Sequence, residues 1–211
     1  MTAGGLHYSR YRVGDRDEWM MRIGGGPALL FLPPLFEEMN RTRALLASVM
    51  RALAADGFEC WLPDLPGTGE SERALEDVSW DEWREAAAAA AASASPVCSV
   101  GLRGGALLDG GVERRWRFAP ATGASLTRDL ARAGLMTAGG GGYAPSAALL
   151  GPLEAAEPAA GGKVRTLRLA TDPAEADLKL EGPPLWRRAE PQTSSELATA
   201  MACDISQWLR Q

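Results

Sequence analysis

The stretch PVCSVGLRGGALL, residues 96–108, decides the fold. Its first half, up to Gly101, is an uncharged apolar run of the kind carried by a strand buried on both faces. Its second half turns sharply at Leu102-Arg103-Gly104 and reads as the opening of a short helix. Gly101 and Gly105 stand two residues to either side of Arg103. Small residues at those places are what a tight strand-to-helix turn needs around its middle residue. A buried strand feeding a helix is the repeating unit of an α/β domain with a mainly parallel sheet.

The same alternation extends in both directions. Upstream, ALLFL (28–32) is a second buried strand, stopped by Pro33-Pro34, and a helix runs from about Glu37 to Ala55. Met39, Leu45, Leu46, Val49, Met50 and Leu53 form its apolar stripe, and Asp56-Gly57 ends it. Phe58 to Leu62 is the next strand, leading into the turn-rich loop LPGTGES. Ser79 to Glu82 is a capping box that opens a helix through the alanine run 86–92. His7–Val13 and Trp19–Ile23, on either side of GDRD, read as an antiparallel hairpin. Downstream, Arg115–Ala119, Val164–Leu169 and Leu178–Leu180 are strand candidates and Ser125–Ala133 is a helix. A second capping box, Thr193 to Glu196, opens a helix with Leu197, Met201, Ile205, Trp208 and Leu209 on one stripe. At 211 residues the whole is read as one domain, 1–211.

Composition excludes several function classes. There are 22 Lys+Arg against 27 Asp+Glu, a net charge of −5, so no basic face is available for a nucleic acid. The single histidine, His7, rules out any site built from two imidazoles. Cys60, Cys98 and Cys203 are widely spaced and form neither a disulfide framework nor a zinc motif, which fits a reduced, cytoplasmic setting. The N-terminus has no apolar core of a secretory signal. The uncharged stretch from Ala133 to Leu153 contains Gly139–Gly142, Pro145 and Pro152, and reads as a flexible connection rather than a membrane span. Gly24–Gly26, Gly67-Thr-Gly69 and Gly139–Gly142 lack the pattern of a phosphate loop, and no D-x-D-x-D loop is present. Neither a cofactor nor a metal is expected.

Three segments carry a resemblance. PPLFEEMNRTRALL (33–46), RALAADGFECWLPDLPGTGES (51–71) and VGLRGGALL (100–108) occur in the order and at the spacings of an α/β-hydrolase. They resemble, in turn, the oxyanion-hole loop, the D-x-x-G-x-G-x-S loop and the nucleophile elbow. More narrowly they are similar to the hydrolase-like proteins of bacterial exosortase A (PEP-CTERM) systems, the second type, which has arginine at the elbow. The specific part covers residues 28–108. The second half matches only through RFAPATGASLTRDLARA, GGYAPSAAL and GPPLWRR. The resemblance implies a three-layer α/β-hydrolase-like sandwich with a mostly parallel sheet. Its lid would be reduced, since residues 120–162 leave room for two short helices. It also implies a setting in exopolysaccharide production and protein sorting.

It does not imply hydrolysis. The elbow residue is Arg103, and a guanidinium has no lone pair with which to attack a carbonyl. The base of a triad would come after the last strand, near Leu180 to Trp186, where the sequence LEGPPLW has no histidine. His7 belongs to the first hairpin, far from that place. No catalytic residue is assigned. Ser99 reads as buried in its strand, Ser71 as a turn cap, and Cys60 and Cys98 have no neighbouring base.

The elbow arginine instead stands where α/β sheets place ligands, at the start of a helix whose free N–H groups favour anions. A buried guanidinium needs a partner. Glu37, Glu38 or Asp172 would supply an internal carboxylate. A carboxylate, phosphate or acidic sugar of a ligand would supply an external one. Leu35, Phe36, Glu37, Glu38, Arg103, Gly104 and Asp172 are thus the candidate pocket, for a small acidic or acyl ligand. Three functions compete: a catalytically silent binding or accessory protein; an atypical hydrolase or lyase using Arg103 and nearby carboxylates; and an interaction protein whose crevice is filled by its own side chains.

Overall fold

The computed structural model describes residues 5–134 and 145–211. Eight strands form one sheet: β1 (His7–Val13), β2 (Arg16–Gly24), β3 (Ala28–Leu32), β4 (Glu59–Pro63), β5 (Cys98–Leu102), β6 (Arg114–Phe118), β7 (Lys163–Leu169) and β8 (Leu178–Leu180). Among the described residues five α-helices flank the sheet: α1 (Glu37–Ala55), α2 (Trp80–Ala94), α3 (Gly123–Arg132), α4 (Ala147–Glu154) and α5 (Ser195–Leu209). The strand order is β1-β2-β4-β3-β5-β6-β7-β8. β2 runs antiparallel to both of its neighbours, and the strands from β4 to β8 are mutually parallel. This is the order of the α/β-hydrolase fold, with its antiparallel second strand.

Period-two alternation on β3 divides the core. Leu29 and Phe31 face the layer of α1 and α5, with Leu45, Val49, Leu53, Trp116 and Ile205. Leu30 and Leu32 face α2, α3 and α4, with Trp83, Ala86, Ala90, Leu126 and Leu149. Both faces are covered, so β3 and β5 carry near-continuous apolar runs. The alanine run gives α2 a smooth buried side at Ala86, Ala87, Ala90, Ala91 and Ala94. The expected capping box starts that helix: Ser79 Oγ accepts from Glu82 N at 3.2 Å, and the Glu82 carboxylate accepts from Ser79 N at 2.8 Å.

Two buried ion clusters tie the second half to the sheet. Asp204 on α5 accepts from Trp116 Nε1 at 2.8 Å and from Arg165 Nε and Nη2 at 2.8 and 2.6 Å. Asp109, just beyond the elbow turn, accepts from Arg117 Nε and Nη2 at 2.7 and 2.8 Å. Arg115 and Arg117 also donate to the carbonyl of Ala159, and Arg115 to those of Ala160 and Gly161.

Some local expectations need correction. The C-terminal helix is capped by Ser194, which accepts from Leu197 N at 3.2 Å, not by Thr193. Met39 is half-buried and lies at the edge of the α1 stripe. The stretch 133–153, read as a connection, contains α4, capped by Ser146 on Leu149 N at 2.9 Å. Its glycine run 139–142 lies outside the described residues. α3 and α4 are two short helices within residues 120–162. They meet at Gly123, where a Cβ would stand 1.6 Å from the carbonyl oxygen of Leu153. No helix among the described residues is long and apolar enough to cross a membrane.

Candidate functional site

β5 ends at Leu102, and Arg103 takes up a left-handed backbone with φ 51°. For a residue with a Cβ this costs on the order of 1–2 kcal/mol, so the surroundings must impose it. They do so by close approach. A Cβ on Gly105 would lie 2.0 Å from the carbonyl oxygen of Leu32, and one on Gly101 would lie 3.0 Å from Ala106 Cα. The glycines at 101 and 105 therefore shape the tight elbow that the G-x-R-x-G spacing predicts. The short helix expected after the elbow is a 3₁₀ turn of five residues, Arg103–Leu107. Gly104 and Gly105 are poor helix formers, and Asp109 is drawn to Arg117 on β6, which turns the chain away. The anion-favouring helix N-terminus expected at Arg103 is thus absent.

Two further non-glycine residues with positive φ stand beyond the ends of neighbouring strands: Phe36 (φ 57°) after β3 and Ala119 (φ 46°) after β6. With Arg103 they put backbone strain at the carboxyl edge of β3, β5 and β6, where open α/β sheets place their ligands.

Arg103 is bound on almost every side. Its Nε donates to both oxygens of Glu38, at 3.3 and 3.2 Å, and its Nη2 donates to Oε1 at 2.9 Å. Its Nη1 donates to the carbonyl of Ala119 at 3.3 Å. The guanidinium carbon lies 4.9 Å from the ring centre of Trp186, a cation–π distance. Asp129 of α3 adds a second carboxylate at 3.9 Å. The Arg103 and Glu38 side chains are only 12 % and 13 % exposed. Burial raises the Glu38 carboxyl above its ordinary range, and the charge and hydrogen bonds of Arg103 pull it back only in part.

Beside this pair opens a crevice of about 420 Å³. Leu35, Phe36, Leu126, Leu130 and Trp186 give it apolar walls; Glu37, Glu38, Asp129, Arg41, Arg132 and Arg187 give it charge. Leu35, Phe36, Glu37 and Glu38 are brought together there from the candidate set. Gly104 lies beneath, where a Cβ would meet Leu126 and Leu35 at 2.7 and 2.8 Å. Asp172 is not part of this cluster. It accepts from Arg168 Nη1 at 2.9 Å and Ala174 N at 3.0 Å. Partial burial pulls its carboxyl upward, but those donors hold it below its ordinary range. Trp186, Asp129, Arg41, Arg132 and Arg187 are members of the site that the sequence did not single out. They lie within the resembling segments PPLFEEMNRTRALL, RFAPATGASLTRDLARA and GPPLWRR, but nothing in those segments marks them individually.

The place where a triad base would come after the last strand is occupied by Trp186. His7 is exposed on β1, four strand positions from β5, roughly 19 Å at ordinary strand spacing. Ser99 is fully buried and its hydroxyl has no partner among the described residues. Ser71 Oγ accepts from Gly67 N and Arg73 N and donates to Glu18 at 3.1 Å. Burial pushes both the Cys60 and Cys98 thiols up to about 12, out of the range of a ready thiolate. Among the described residues no three His, Cys, Asp or Glu side chains are placed to hold a metal ion.

No protein-family model matches the chain, and no curated protein matches it. Among solved structures it is similar to the epoxide hydrolase CorEH, at 17% identity and TM-score 0.45, over 54% of this chain and 42% of that one. It is similar to potato (Solanum tuberosum) epoxide hydrolase I at 19% identity and TM-score 0.45, over 54% and 40% of the two chains. It is similar to the Vigna radiata epoxide hydrolase VrEH1 at 16% identity and TM-score 0.44, over 54% and 38%. The matched part spans less than half the length of each of those enzymes. The fold therefore rests on the strand order and the elbow.

Proposed function

We propose that this chain is a binding or accessory protein on an α/β-hydrolase fold, without hydrolase chemistry, serving a bacterial exosortase and exopolysaccharide system. Residues 1–211 form one domain in this reading, with 120–162 as a reduced lid, and the crevice takes a small acidic or acyl ligand. The observation that carries it is the state of the elbow. The residue that should attack is Arg103, which cannot; each of its three nitrogens donates to Glu38 or to the Ala119 carbonyl, and the guanidinium face lies on Trp186. Nucleophile and base must lie within hydrogen-bond reach of each other, and the described residues around the elbow supply neither.

The reading as an atypical hydrolase or lyase draws on Glu38, whose carboxyl burial holds toward its neutral form, as a general acid requires. Of its other carboxylates, Asp172 is engaged by Arg168, while Glu37 and Asp129 line the crevice beside Glu38.

The test is direct. A fluorophosphonate probe and a panel of nitrophenyl esters, applied to the full chain, are expected to give no labelling and no turnover above the buffer rate. Labelling of any serine overturns the proposal. Arg103→Ser is expected to stay inactive, since the base is still missing; esterase turnover in that variant overturns the assignment of the base position. The exosortase link is tested by gene neighbourhood, and an unrelated neighbourhood removes it.

A further inference from the structure

The proposed reading, that the crevice binds a ligand, leaves open where the ligand's charge would sit. We propose that the crevice takes an amphipathic carboxylate whose head is held at the outer wall by Arg41 and Arg187, beside Trp186, and not at the elbow by Arg103.

All three nitrogens of the elbow guanidinium already donate within the protein. Its Nε and Nη2 edge is closed by Glu38, its Nη1 donates to Ala119, and its face is covered by the Trp186 ring. Any anion approaching it also meets Glu38 and Asp129, two carboxylates already in place. The outer wall is different. Arg41 gives one hydrogen bond, from Nη1 to the Trp186 carbonyl at 3.1 Å, and a guanidinium carries five N–H donors. Arg187 is exposed and has no ion-pair partner among the described residues. Arg132, the third arginine of the crevice, is paired with Asp129 at 3.3 Å. Two arginines with donors to spare therefore stand on one wall, and carboxylate is the group their planar forks match.

A second observation points the same way. Trp186 is 7 % exposed, lines the crevice, and its indole N–H has no acceptor among the described residues. A buried donor without a partner is costly; this nitrogen is itself covered, so a ligand oxygen beside Arg41 and Arg187 would accept from it only after a shift of the ring. Of the remaining lining, Leu35, Phe36, Leu126 and Leu130 suit an aliphatic or aromatic tail, and Glu37, Glu38 and Asp129 repel a carboxylate head from their side of the crevice. The volume is that of a small-molecule site.

The experiment titrates the full chain with octanoate, 4-phenylbutyrate, octanol and acetate, read by calorimetry and tryptophan fluorescence. Octanoate or 4-phenylbutyrate is expected to bind at least tenfold more tightly than octanol and acetate; the better of the two identifies the tail. Arg187→Gln, an exposed position, is expected to weaken the carboxylate five- to tenfold and to leave octanol unchanged. Arg41→Gln is expected to do the same. Equal binding of octanol and octanoate overturns the proposal, as does failure of all four probes to bind. So does an Arg187→Gln variant that binds octanoate normally while a Glu38→Gln, Arg103→Gln double variant does not, because the anion would then sit at the elbow. A chain that binds octanoate through Arg187 yet turns over esters would overturn the non-catalytic reading and leave this inference standing.

Discussion

Two arginine–carboxylate pairs of nearly the same geometry serve this molecule differently. Arg103 grips Glu38, and Arg117 grips Asp109, each through Nε and Nη2 onto a single carboxylate. Asp109 is completely shut off and Arg117 nearly so; the spare donors of Arg117 and its neighbour Arg115 end on backbone carbonyls of residues 159–161. Arg103 and Glu38 keep about an eighth of their side-chain surface exposed, next to an open crevice. Pairing alone does not distinguish a bolt from a site. Access does: the backbone of residues 159–161 covers one pair and leaves the other beside the crevice.

The comparison can be broken at its sealed end first. Asp109→Ala strands two buried guanidinium groups, and the expected loss of stability is about 3–5 kcal/mol. Urea denaturation reads it; a loss below about 1 kcal/mol would show that the pair is not structural. Glu38→Ala is expected to lose less, about 1–3 kcal/mol, because water from the crevice can reach the freed donors of Arg103. Added formate should raise the melting temperature of Glu38→Ala and not that of Asp109→Ala. Equal rescue, or none in either, would erase the difference between the two pairs.

The smallest effect is in pH. The folded Glu38 carboxyl is raised above its ordinary value, so its contribution to stability is fully present below that value. The contribution is lost as pH rises through the raised value. Asp172 is lowered, so its contribution is present above the ordinary carboxylate range and is lost as pH falls through the depressed value. Urea titrations at several pH values should therefore show Glu38→Gln and Asp172→Asn changing the slope of stability against pH in opposite directions. Slopes of the same sign would contradict the assigned shifts.

The parts of the molecule that could be read in advance are those fixed by short-range pattern. The run 28–32, the stripe from Glu37 to Ala55 and the glycines at 101 and 105 each declare a local conformation, and each occurs at the expected place. The site is only half legible for the same reason. Glu38 and Arg103 are motif residues, whereas Trp186 and Asp129 reach Arg103 only because the sheet order brings distant segments to one edge. Asp172 shows the opposite error. The sequence offers it as a long-range partner, but Arg168, four residues earlier, claims it first. The Asp109–Arg117 bolt gives no signal, since charges at positions 114, 115 and 117 of a strand resemble an ordinary solvated face. At the last helix, three adjacent hydroxyl residues, Thr193, Ser194 and Ser195, could each serve as cap, and only the backbone geometry selects Ser194.

Asp204 sits near the end of α5, and the strands it fastens, β6 and β7, lie some forty to ninety positions earlier in the chain. The layer over Trp116, Leu167 and Leu180, which Leu197, Met201 and Ile205 of the same helix cover, is therefore open until α5 has been synthesised. During synthesis the growing chain must present an apolar sheet face together with the unpaired indole and guanidinium that wait for it. A ribosome stalled before residue 204 would hold a protein with its elbow already encoded and one side of its core still exposed to water.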